Sequence, residues 1–115
     1  MITSHNPQLI ALMVAARTRM DREFDQKTRV ADLAADAGMT VFRFIRVFTA
    51  MFGETPGRYL RMRRMECAAA LLSGTTLPIR EVGRRSGYAS AGTFSDTFRQ
   101  DYGMTPTEYR NRHAT

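Results

Sequence analysis

The sequence predicts an all-α protein: two copies of a helix, turn, helix unit joined by a long helix. Three observations predict it. Apolar residues recur at spacings of three and four with no strictly alternating run, helix-starting and helix-stopping residues bracket each periodic stretch, and the second half of the chain repeats the first.

The elements follow in order. Asn6 before Pro7 is a cap with proline at the first helical position, and Leu9, Met13, Ala16 and Met20 form the apolar face of a first helix ending near Glu23. Val30, Leu33, Ala34 and Ala37 mark a second, closed by Gly38. Thr40 caps a third, whose buried stripe is Phe44, Val47, Phe48 and Phe52, with Gly53 as its stop. Thr55 and Pro56 open a helix that runs unbroken to Leu72, with Ser73 and Gly74 as its end. At ~1.5 Å per residue it is about 25 Å long. Beyond Pro78 come a short helix over Ile79 to Ser86, a turn at Gly87, a helix capped by Ser90, and a last helix in which Thr105 and Glu108 have capping-box spacing.

At an offset of 50 positions Phe44 falls on Phe94, Phe48 on Phe98, Phe52 on Tyr102, Gly53 on Gly103, Pro56 on Pro106 and Tyr59 on Tyr109. Upstream of the turn the offset becomes 49, pairing Leu33 with Val82, Ala34 with Gly83 and Gly38 with Gly87. One residue has been added in the second turn. The division predicted is a first helix-turn-helix subdomain over 1–55, a linker helix over 56–74 and a second helix-turn-helix subdomain over 75–115. Each small residue (Ala34, Gly83) lets its two helices approach closely.

The copies differ on the outer face of their second helix. Phe42, Arg43, Ile45, Arg46 and Thr49 of the first stand opposite Gly92, Thr93, Ser95, Asp96 and Arg99 of the second, while the aromatic stripe persists. Residues 42, 45, 46 and 49 share one side of their helix, opposite Phe44 and Phe48. A recognition helix needs such a face, with Phe42 and Ile45 against thymine methyls and Arg46 forked onto guanine. Alternatively, Phe42 and Ile45 extend the core or contact a protein partner.

Composition narrows the function. With 115 residues the chain has no room for a large catalytic domain beside a cofactor domain. Cys67 is the single cysteine, so no internal disulfide is expected, in keeping with a reducing cytoplasm. The longest apolar run, Leu9 to Ala16, is far short of the ~20 residues that span a bilayer. The net charge is +6, and all the excess lies beyond residue 40, where twelve cations, every one arginine, face six acids. Arginine bonds phosphate and guanine edges in a bidentate way that lysine does not copy, which points to nucleic acid. A solvated basic surface is the plain alternative.

The stretch PIREVGRRSGYASAGTFSDTFRQDYGMTPTEYRNR, from Pro78 to Arg112, closely resembles the second helix-turn-helix of the AraC/XylS family of transcription regulators. RVADLAADAGMTVFRFIRVFTAMFGETPGRYL, from Arg29 to Leu60, resembles its first. The resemblance implies a cytoplasmic, sequence-specific regulator, an activator by expectation, bound to a double-stranded operator as a monomer. RNA polymerase is a candidate further partner, and no cofactor, metal or membrane is implied. Two recognition helices would enter successive major grooves, ~34 Å apart. Carried over residue by residue, the base-reading positions are Val41, Phe42, Ile45, Arg46 and Thr49 in the first motif, and Ala91, Gly92, Thr93, Ser95, Asp96 and Arg99 in the second. Arg61 and Arg63 would lie near the DNA backbone, or pair with Glu66 and neighbouring acids. Asp96 stands where the family commonly has arginine, Ala91 and Gly92 where it has longer polar side chains, and Gly83 where alanine is usual. The second motif is therefore expected to read fewer bases, and Gly83 to cost its helix ~0.5 to 1 kcal/mol.

Two rival functions stand beside this one. An enzyme would need a constellation that His5, His113 and Cys67 do not supply, and Cys67 among three alanines reads as core packing. A protein-interaction module, such as an antagonist of a related regulator without DNA binding of its own, would keep the fold and lose the salt-dependent affinity for DNA. Met1 stands a few residues before the first helix, which fits either a small stand-alone member or a piece of a longer chain.

Overall fold

In the computed structural model, residues 6–113 are described, and they form seven helices with no strand among them. These are α1 (Pro7–Glu23), α2 (Val30–Asp36), α3 (Val41–Phe52), α4 (Pro56–Gly74), α5 (Ile79–Arg85), α6 (Ala91–Tyr102) and α7 (Pro106–His113). The chain divides into two compact units between Arg61 and Met62, inside α4.

The helix starts follow from capping chemistry. Asn6 accepts from the backbone N–H groups of Gln8 and Leu9, Thr40 from that of Arg43, and Ser90 from that of Thr93. At α7 the box is reciprocal: the Thr105 N–H donates to Glu108 Oε1 at 2.8 Å and the Glu108 N–H to Thr105 Oγ1 at 3.1 Å. Those bonds from Thr105 hold the Glu108 carboxyl below the usual range. The backbone bond that opens each turn is the same in both copies, although the second turn is one residue longer. Met39 donates to the Ala34 carbonyl and Tyr88 to that of Gly83, both at 2.9 Å, which requires the left-handed backbone that Gly38 (φ 71°) and Gly87 (φ 102°) provide.

The first unit packs Leu9, Met13, Ala16 and Met20 of α1 against Leu33 and Ala34 of α2, Phe44, Val47 and Phe48 of α3, and Leu60 of α4. Its polar ties run from α1: Arg19 reaches Glu23 on its own helix and Asp36 on α2, and the Tyr59 hydroxyl donates to Asp21 at 2.6 Å. Phe52 is only half-buried, and the Arg17 guanidinium lies 4.3 Å from the centre of its ring. The second unit packs Met65, Ala68 and Leu72 of α4 against Val82 of α5 and Phe94 and Phe98 of α6. Within that unit α4 does for its core what α1 does in the first. Tyr102 stacks on Phe98 with ring centres 4.4 Å apart, and Tyr109 meets Phe98 edge-on at 5.4 Å. Cys67 is half-buried, beside the fully buried Ala68. The expectation that Cys67 fills the core is corrected: one step along the helix turns its side chain about 100° away from the Met65, Ala68, Leu72 stripe.

Gly83 is also corrected, from a cost to a requirement. A Cβ built there would lie 2.8 Å from two ring atoms of Phe94, which is itself fully buried. Gly83→Ala gains at most ~1 kcal/mol of helix propensity against the ~1 to 3 kcal/mol that overpacking costs. We expect it to lower the urea midpoint, by about 1 kcal/mol of stability net. A stabilised variant would mean that α5 and α6 move apart freely.

Ser86 presents the opposite case. It is fully buried and its hydroxyl has no hydrogen-bond partner among the described residues. Ser86→Ala removes a desolvated polar group at little volume change, so its unfolding midpoint is expected at or above that of the parent protein. A marked loss would show that the hydroxyl is satisfied in solution.

Candidate nucleic-acid interface

On α3 the aromatic stripe fixes the helix by burying Phe44, Val47 and Phe48, and so fixes what faces out. Phe42 is 77% exposed and Val41 42% exposed. Arg46 and Arg43 are exposed and form no ion pair among the described residues, while Ile45 and Thr49 are half-buried. Phe42 is therefore not an extension of the core. The Thr49 hydroxyl donates to the Ile45 carbonyl at 2.7 Å, so its proton is spent within the helix. The helix carries two cations and no anion.

The corresponding face of α6 has a different chemistry. Ala91, Gly92, Thr93, Asp96 and Arg99 are exposed and Ser95 is half-buried. Asp96 makes no ion pair among the described residues. With Asp96 and Asp101 against Arg99, this helix brings no excess of positive charge. Its exposed first turn is built from Ala91, Gly92 and Thr93, which have little reach.

The remaining arginines fall into groups. Arg61, Arg63 and Arg64 are half-buried on α4, and Arg63 donates to Glu66 at 2.7 Å. Arg58 is exposed and paired with Glu54 at 3.0 Å. On α5, Glu81 accepts from Arg84 and from Arg85, and these bonds, that of Arg84 first, pull its carboxyl down to about 2. Glu81 thus engages both cations at the surface. Such exposed pairs contribute little to stability and yield readily to a phosphate. Arg43 and Arg58 are exposed cations that the expected site did not include; the signal for them was the arginine-only basic half.

His5 lies outside the described residues. Among those described, no group of three or more His, Cys, Asp or Glu could hold a metal, and no helix is long and apolar enough to cross a membrane.

The sequence and the fold both have matches among known proteins. A helix-turn-helix domain family matches residues 33–112. Regulatory protein SoxS of Salmonella typhimurium is 34% identical over 93 residues, covering 81% of this chain and 87% of SoxS. The probable transcriptional regulator LumQ of Photobacterium leiognathi is 31% identical over 98 residues, and the chain spans only 40% of its length. Among solved structures, the C-terminal domain of the response regulator AraT from Geobacillus stearothermophilus matches 90% of this chain and 87% of its own, with a TM-score of 0.86 and 28% identity. The DNA-binding domain of the transcriptional factor AdpA, in complex with a target DNA, matches 87% of this chain and 90% of its own, with a TM-score of 0.82 and 27% identity. The chain thus belongs to the AraC-type helix-turn-helix family of transcription regulators.

Proposed function

We propose that this protein regulates transcription by binding, as a monomer, a duplex DNA site of two non-identical half-elements, with α3 and α6 as the recognition helices of successive major grooves. The observation that carries the reading is the face of α3. A phenylalanine left 77% exposed beside an unpaired arginine is costly in water and fitted to a groove edge. Val41, Phe42, Ile45, Arg46 and Thr49 form the principal base-reading set. Ala91, Gly92, Thr93, Ser95, Asp96 and Arg99 form the lesser one. Arg61 and Arg63 contact phosphate, the latter by exchanging Glu66 for it, and Arg43 and Arg58 add backbone contacts. The two faces differ, so the site is not a palindrome. The work is done in the cytoplasm, with RNA polymerase as a second contact and with no catalytic step.

Selection of bound sites from random DNA, followed by footprinting and sedimentation of the complex, tests this reading. The expected result is one protein on an asymmetric site. An obligate dimer on a palindrome overturns the monomer assignment. The exposed Phe42 also fits a protein-interaction module, and in that case no sequence is enriched.

A further inference from the structure

The reading face of α3 is short of hydrogen-bonding groups. Of its five positions, Val41, Phe42 and Ile45 carry none, and Thr49 has donated its proton to the Ile45 carbonyl at 2.7 Å. Only Arg46 remains as a donor, and its fork matches the two major-groove acceptors of guanine. In the major groove thymine differs from cytosine in two ways: an O4 acceptor in place of an N4 donor, and a C5-methyl group. Phe42 and Ile45 can sense only the second of these. A hydrocarbon surface gains from covering a methyl group and gains nothing from O4 over N4. Cytosine methylated at C5 presents the same methyl at the same place on the groove wall.

We propose, resting on the DNA-binding reading above, that the first unit recognises the C5-methyl group of a pyrimidine and is indifferent to its 4-substituent, so that it accepts 5-methylcytosine as it accepts thymine. Cytosine methylation within the half-element read by α3 then strengthens binding. Phe42 is the residue that sets this preference, because it is the most exposed apolar side chain of the face and stands four positions before Arg46 on the same side. Ile45, half-buried, presents the smaller share.

The test uses the selected site with one base pair varied at the pyrimidine whose methyl is protected by α3. Four duplexes are compared: T·A, U·A, C·G and 5-methyl-C·G. Burying one methyl corresponds to roughly a fourfold change in affinity. We expect U·A to bind about fourfold more weakly than T·A, and 5-methyl-C·G about fourfold more tightly than C·G, the two ratios being equal within error. In Phe42→Ala both ratios should fall towards one, with the thermal midpoint unchanged because the side chain lies outside the core. Equal binding of T·A and U·A, or no gain from cytosine methylation, overturns the proposal while specific DNA binding stands. Methyl ratios that persist in both Phe42→Ala and Ile45→Ala overturn the assignment to these residues. If no duplex is preferred over random competitor DNA, the DNA-binding reading itself fails and this inference fails with it.

Discussion

Affinity for the selected site is expected to fall about a thousandfold when monovalent salt rises from about 50 to about 200 mM. If about six arginines reach phosphate, each releasing close to one counterion, log K falls against log salt with a slope near −5. The supply is sufficient. Arg43 on α3 is exposed without an ion pair among the described residues, Arg58, Arg63, Arg84 and Arg85 are each paired with a surface carboxylate, and Arg61 lies beside Arg63 on α4. Trading Glu54, Glu66 or Glu81 for a phosphate breaks one charge-assisted bond and makes another, so these residues would join the proposed interface at small cost. A titration at four salt concentrations reads the slope directly. A nearly flat response would mean that the basic half is solvated surface, and the interaction-module reading would take over.

The second large effect separates the two motifs. Arg46→Ala should cost roughly 1 to 3 kcal/mol, about a fivefold to 150-fold loss on the selected site, and relax preference at one base pair. In the proposed complex Phe42 and Ile45 would exclude water beside this fork and so strengthen it. Asp96 is exposed, makes no ion pair among the described residues, and would approach a backbone of its own sign. Asp96→Ala is therefore expected to leave specific binding unchanged and to tighten binding to competitor DNA. Both variants should be measured on both DNAs at two salt concentrations. If Asp96→Ala lost more specific affinity than Arg46→Ala, α3 would not be the principal reader, and Asp96 would be accepting from a cytosine amino group.

What the sequence determined by itself is what local physics determines. Caps at Asn6, Thr40, Ser90 and Thr105 act within three residues of their partners, and the stripes of α3 and α6 repeat at the helical period. The seven helices and their glycine turns were legible for that reason. Contacts between distant residues were not. Only the packed structure decides that Gly83 must be glycine, because the atom that excludes a Cβ belongs to Phe94, eleven positions on and one helix away. It likewise assigns the core position to Ala68 and leaves Cys67 half-exposed, commits Glu81 to two arginines at once, and leaves the Ser86 hydroxyl without a partner among the described residues. The exposure of Phe42 lies between the two kinds: periodicity put it opposite the core stripe, and only the tertiary packing of α3 showed that no described residue covers it. Period and capping are properties of one segment of chain, whereas closeness and exclusion of water are properties of two segments brought together.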